Sequence, residues 1–270
     1  MTHDSALGAA LRRDRLIACA ALLLITGLAW AWLLQESARM AAMDTAAMAD
    51  VRMNHMLMMS PHFTAWSGAL ALYLFGMWFV MMIGMMLPSA SPLLLLYMGV
   101  ARHAAGSGHR FASATWFLAG YLCAWALFSA AATLAQWALE SAAMMTPAMS
   151  AASSTLGAAV LIGAGVYQWL PAKDACLARC RAPMSYIQQH GGLPPEGGRG
   201  LLLGLRHGLY CVGCCWALML LLFVFGVMNL LWIAGLMVYV LAEKLLPASR
   251  LLARIAGAAA IATGLGLVLT

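Results

Sequence analysis

Residues 204–226 read GLRHGLYCVGCCWALMLLLFVFG. After Arg206 and His207 the run carries no further charge. About 20 apolar residues suffice for a helix to cross the hydrocarbon core of a bilayer, and this stretch is long enough. Six other segments have the same character: Leu16–Leu34, Trp66–Leu87 (stopped by Pro88 and Pro92), Phe111–Leu139, Ser153–Leu170, Met228–Leu246 (closed by Pro247) and Leu251–Leu269. The expectation is an all-α, polytopic transmembrane helical bundle of about seven spans, or six if the first is removed as a leader. Its apolar core of about 19 residues is longer than that of a secretory signal, which favours an uncleaved anchor. The composition agrees. Of 270 residues, 64% are apolar and 9% charged, against roughly 45–50% and about 25% in soluble domains. An ordinary soluble domain, a disordered chain and a nucleic-acid-binding module are excluded.

The formal charge of +6 is explained by its placement. With the N-terminus in the cytosol and the spans alternating, the inner segments hold Arg12, Arg13, Arg15, Arg102, Arg110, Lys173, Arg179, Arg181, Arg199, Arg206, Lys244, Arg250 and Arg254. The outer segments hold only Arg39 and Arg52. Positive-inside bias therefore predicts a membrane protein with its N-terminus in the cytosol. Trp30, Trp32, Trp66, Trp137 and Trp232 fall near the outer interface, and Trp116 and Trp169 near the inner one, as aromatic belts do. The organisation expected is an anchor span within 1–35, an outer Met-rich segment 36–65, and a six-helix membrane domain 66–270 with a Cys-containing inner loop at 171–203. The lipid bilayer is the first partner, and no nucleic acid is expected.

Twenty-one Met and seven Cys require a chemical account. Residues 40–62, MAAMDTAAMADVRMNHMLMMSPH, place Met53, His55, Met56, Met58, Met59 and His62 together, after Met40, Met43 and Met48. Met144, Met145 and Met149 form a second outer cluster. Thioethers are soft ligands for Cu(I), and imidazole extends the range to Cu(II). Met also packs adaptably on apolar surfaces, so capture of metal and packing both stay open for these clusters. In the second span, Met77, Met81 and Met85 lie at i, i+4 and i+8, with Met82 and Met86 beside them, on one side of a helix.

Five of the seven Cys lie between 176 and 215. Cys176 and Cys180 are four apart in the inner loop. In the fifth span His207, Cys211 and Cys215 are spaced i, i+4, i+8, with Cys214 on the same side and Met219 one turn on. This half faces a reducing cytosol, where structural disulfides are rare, so thiol ligation or thiol redox chemistry is the better account. Three or four N/S ligands suit Cu(I), with Zn(II) as the alternative. Cys211–Cys215 lie roughly 10–16 Å in from Gly204, and Met77–Met85 roughly 5–17 Å in from Pro88. The two stripes occupy one depth and could share a site if their spans are neighbours. The ligand candidates are thus Cys211, Cys214, Cys215, His207, Met81, Met85, Met77, Cys176 and Cys180.

Three stretches carry a resemblance: MWFVMMIGMMLPSASP at 77–92, YQWLPAKDACLARCRAP at 167–183 and GLYCVGCCWALMLLLFVFGVMNLLWIAG at 208–235, followed by Glu243-Lys244. The chain resembles a bacterial family of predicted metal-binding integral membrane proteins, a domain of unknown function with CVGCCWALM and MMLPS motifs. The likeness covers about residues 66–270. Gly84 replaces an Ala of the family pattern and Leu170-Pro171-Ala172 departs from its threonine-proline-leucine, neither of them a candidate ligand. The resemblance implies membrane location and metal binding and names no reaction.

No Walker loop, HExxH or dinucleotide-binding glycine fingerprint is present. No Asp or Glu sits at a span centre, where a proton- or sodium-coupled transporter usually has one. Glu243 and Lys244 read as a local pair at the inner edge, with Arg206 and His207 able to reach Glu243 if spans five and six pack together. The leading expectation is a soft-metal protein, most plausibly for copper, acting in uptake, transfer or delivery, with a membrane or periplasmic protein as a further partner. It is more an ion handler than an enzyme. The alternatives are a thiol-redox enzyme using Cys211/Cys214/Cys215, and a structural subunit held by contacts at Gly120, Gly157, Gly163, Gly165, Gly257 and Gly264.

Overall fold

A computed structural model describes residues 2–53, 66–104, 110–146, 149–182, 185 and 197–269. The helices among them are α1 (Thr2–Met53), α2 (Gly68–Ala104), α3 (Arg110–Ser141), α4 (Ser154–Tyr167), α5 (Pro171–Arg181), α6 (Gly197–Leu220), the single turn α7 (Leu222–Phe225), α8 (Leu230–Leu245) and α9 (Ser249–Leu269). The protein is an all-α bundle. Among the described residues five helical stretches are long and apolar enough to cross a membrane: Leu16–Ala42, Gly68–Leu95, Thr115–Ser141, Gly198–Phe225 and Ser249–Leu269. The fourth expected span differs in form. α4 and α5 meet at a bend of 63° and together would make a sixth crossing. The sixth expected span is α8, 16 residues long, or about 24 Å at 1.5 Å per residue, shorter than a hydrocarbon core of about 30 Å. Gly226, at φ 97°, ends α7. Asn229 then starts α8 by accepting a hydrogen bond from Leu231 N at 3.2 Å.

Pro88 and Pro92 were expected to stop the second span, and they do not. α2 runs through both to Ala104. A proline inside a helix frees the carbonyl four residues earlier. Here Trp30 Nε1 donates to Gly84 O at 3.2 Å and Ser91 Oγ to Pro88 O at 2.8 Å. Both freed carbonyls are satisfied by side chains, the condition under which a membrane helix tolerates proline.

Large apolar side chains point outward from α1 and α9, among them Leu16, Leu23, Leu24, Leu28, Leu251, Ile255 and Leu265. The interior rests on close helix crossings. α6 packs along α3 and carries α5 on another side, α9 packs along α4, and α2 packs on α1, α3 and α8. At the α3–α6 crossing, a Cβ on Gly204 would stand 1.9 Å from Phe117 O, and one on Gly120 2.0 Å from Leu201 O. Gly204 and Gly208 form a GxxxG pair of the kind that lets membrane helices approach. Gly204→Ala is therefore expected to destabilise the bundle by about 1–3 kcal/mol through overpacking. Thermal unfolding of the purified variant in detergent measures this; an unchanged midpoint would mean that the crossing is looser than described.

Candidate metal centre

α6 turns His207, Cys211, Cys214, Cys215 and Met219 into the bundle, and the three thiols are each 1% exposed. Cys211 is the hub. Tyr121 OH, from α3, lies 3.3 Å from its Sγ and donates to Met86 O at 3.2 Å. Lys244 Nζ, from α8, donates to the same Sγ at 2.9 Å and to Ser89 Oγ at 2.8 Å. The thiols of Cys214 and Cys215 turn back onto Cys211 O at 3.0 and 3.1 Å.

α5 adds a fourth thiol. Pro171 at its first turn sets the helix entry, and α5 lies against α6. Cys180, partly buried, packs against the core that holds Cys211, Cys214 and Cys215. Cys176, half-buried, faces α6 at Gly213, where an added Cβ would meet its Sγ at 2.9 Å. Of the sequence candidates, the fold thus gathers Cys180, Cys211, Cys214 and Cys215, with Cys176 alongside. His207 lies among aromatic rings, its centroid 6.0 Å from that of Phe117 and 6.1 Å from that of Tyr121.

Met77, Met81 and Met85, with Met82 and Met86, are buried in the same core as the thiols. Their helix is not laid along α6; α3 packs against both. α2 instead reaches α6 at two levels. Met86 O and Ser89 connect to Cys211 through Tyr121 and Lys244, and the Trp78 ring lies 5.0 Å from that of Phe223 just beyond α6. Between these contacts, along their helices, lie Met81, Met82 and Met85 of α2 and Cys214, Cys215 and Met219 of α6, all in one buried core. At the Phe223 end residues 142–146 and 149–152 meet the helix break: Ala151 N donates to Phe223 O at 2.7 Å and Val227 N to Met149 O at 3.2 Å, and Met145 is buried. Of the outer capture candidates, Met53 is the last residue of α1. His55, Met56, Met58, Met59 and His62 lie outside the described residues.

Among the described residues no three His, Cys, Asp or Glu side chains stand in a ready-made metal geometry. The hydrogen bonds account for this. Cys214 and Cys215 point at a carbonyl and Cys211 is engaged by Lys244, so the thiols must rotate to ligate. The remaining soft donors are thioethers. Thiolate and thioether donors in a dry core fit a soft monovalent ion, and Cu(I) above all.

The sequence missed a second buried cluster. Lys173 Nζ pairs with Glu243 Oε1 at 2.6 Å, both side chains buried. Gln168 also accepts from Lys173, Tyr239 OH donates to Glu243 Oε1 at 2.7 Å, and Gln168 Nε2 donates to Tyr239 OH at 3.2 Å. Glu243 and Lys244 do not pair with each other, as had been expected, and the carboxylate partner is Lys173 rather than Arg206 or His207. Adjacent residues on a helix point about 100° apart, so Glu243 reaches α5 while Lys244 reaches α6 and α2. The signal available was two charges inside an otherwise apolar run.

An all-α bundle with a core of clustered thiols and thioethers has the donor set of a soft-metal protein. Residues 75–267 match the PpoB2 family model, described as a copper chaperone, and the chain belongs to that family. The match begins inside α2 and takes in every thiol and buried Met of the centre, Lys173, Glu243 and Lys244, and leaves α1 and the Met-rich segment outside. No curated protein and no solved structure matches the chain.

Proposed function

We propose that the protein is an integral membrane carrier of Cu(I), which takes the ion from the outer face of the bacterial cytoplasmic membrane and delivers it toward thiols at the inner face. The N-terminus is cytosolic and segment 36–65 lies outside, where Met53, His55, Met56, Met58, Met59 and His62 collect the ion. Met77, Met81, Met85 and Met219 pass it inward, and Cys211, Cys214, Cys215 and Cys180 hold it, with Cys176 as the more exposed thiol toward a receiving protein. Thioethers stay reduced outside the cell and thiols inside it, so the donor order follows the two redox compartments. The chain has no nucleotide-binding loop, which favours transfer or delivery over pumping.

The observation that carries this reading is the burial of Cys211, Cys214 and Cys215, with Cys180 packed against them, in a core that also buries five Met of α2. Elemental analysis of the purified protein after anaerobic Cu(I) loading, beside a Cys211/Cys214/Cys215→Ser variant, tests it. Near-stoichiometric copper in the wild type, lost in the variant, is expected. Copper retained by the variant moves the site to the Met-rich segment. No copper in either protein ends the reading.

The same proximity favours one other function, thiol redox chemistry with Cys180 and Cys211 cycling through a disulfide. It predicts a reversible Cys180–Cys211 crosslink with mild oxidant in the absence of metal.

A further inference from the structure

The buried Lys, Asp and Glu side chains among the described residues are Glu36, Lys173, Glu243 and Lys244. Glu36 has Arg39 at 3.6 Å and Lys173 has Glu243 at 2.6 Å. Lys244 is different. Among the described residues no carboxylate lies within ion-pair distance of its Nζ; it touches Cys211 Sγ and Ser89 Oγ instead. A charge in a dry interior is costly unless something balances it. The side chain that could balance this one is the hub thiol of the proposed copper centre.

We infer that Lys244 determines metal specificity: its positive charge beside Cys211 makes the site complete with a monovalent soft ion, Cu(I), and incomplete with divalent Zn(II). The inference rests on the proposed ligation of copper by Cys211. Each ligating thiol gives up its proton to solvent as its S–metal bond forms, and no electron is transferred. Cu(I) on two thiolates, with the other two thiols of the cluster staying protonated, carries one net negative charge, and Lys244 brings the sum to zero. Zn(II) on the same two thiolates is neutral alone, and Lys244 then leaves one uncompensated positive charge inside the bundle. A third thiolate would restore balance for Zn(II), but at the cost of drawing one more thiol off its present hydrogen bond than Cu(I) needs. The other soft donors in this core include Met85 and Met86 of α2 and Met219 of α6, all buried. Thioethers add coordination without charge and suit Cu(I) far better than Zn(II), which seeks four N, S or O ligands in a tetrahedron. Lys173 and Glu243 cancel each other and do not alter the sum.

The test uses the full-length protein in detergent without oxygen, with separate chromophoric chelators competing for Cu(I) and for Zn(II). The variants are Lys244→Met and Lys244→Arg, with Lys244→Gln as a neutral substitute that keeps hydrogen-bond donors should the Met variant aggregate. The ratio of Cu(I) to Zn(II) affinity is expected to fall on the order of 10–100-fold in the neutral variants, the scale at which groups behind metal ligands act. The Arg variant should keep most of the wild-type ratio. A ratio unchanged in the neutral variants, or a parallel loss of both metals, overturns the inference while leaving copper binding intact. Zn(II) bound by the wild type as tightly as Cu(I) overturns it without any variant. A wild type that binds no Cu(I) overturns the underlying reading as well, and is thereby distinguished.

Discussion

Cys211→Ser is expected to weaken Cu(I) binding on the order of 100-fold or more, equivalent to about 2.7 kcal/mol or greater. Three elements converge on this one sulfur. α3 brings Tyr121 OH to 3.3 Å, α8 brings Lys244 Nζ to 2.9 Å, and α5 packs Cys180 against the same core. A hydroxyl is a hard donor that stays protonated, so it supplies neither the soft bond nor the negative charge that Cu(I) and Lys244 both require. Altering groups merely behind a metal ligand costs 10–100-fold, and loss of the proposed central ligand should exceed that. Cys176→Ser provides the contrast. Its thiol faces Gly213 at the edge of the cluster, so equilibrium affinity should change little, while transfer of copper to an external thiol acceptor should slow. Chelator competition reads the first effect and stopped-flow transfer the second. Equal losses in the two variants would show that no single thiol is the hub.

The parts of this architecture legible in the sequence are those set by one helix at a time. Long apolar runs mark the five helices able to cross a membrane, because a backbone in hydrocarbon must satisfy its own hydrogen bonds. The 3.6-residue period puts Cys211, Cys214 and Cys215 on one side before any neighbour is known. The features the sequence hid depend on partners far away in the chain. α2 passes its prolines because Trp30, 54 residues earlier, caps Gly84 O, and no local rule contains that contact. Cys176 and Cys180 could be read as sharing a face, but not as facing α6. That docking depends on Lys173 meeting Glu243, and on Arg181, which donates to Leu246 O at 2.7 Å and also reaches Ser249. Depth suggested a common level for the Met row and the thiols, and both are buried in one core. Whether the two helices touch could not follow from depth, because α3 packs against both and supplies Tyr121 as the link.

The same docking yields the largest expected effect on stability. Glu243→Gln removes the charge opposite Lys173 while keeping a similar shape and an oxygen that can still accept from Tyr239. Breaking one side of a buried ion pair costs about 3–5 kcal/mol because the remaining charge is left in a low-dielectric interior. Both side chains here are essentially without solvent contact, so little of that cost is screened away. Replacing both charges, Lys173→Met with Glu243→Leu, should recover most of the loss. Buried pairs exchanged for apolar residues are often neutral or better, and Gln168 and Tyr239 keep their mutual hydrogen bond. The readouts are the thermal midpoint in detergent and the rate at which a maleimide labels Cys180. Lys173 sits on α5 and Glu243 on α8, so the single variant loosens α5 and should expose Cys180, whereas the double variant should protect it again. A lower midpoint with unchanged labelling would place the ion pair's role in α8 packing rather than in holding the fourth thiol against Cys211. Equal midpoints for the wild type and Glu243→Gln would mean that the pair is solvated and that α5 is held by Arg181 and its contacts with α6. Copper transfer should follow the labelling rate, because the thiol that α5 carries reaches the centre only while the helix stays docked.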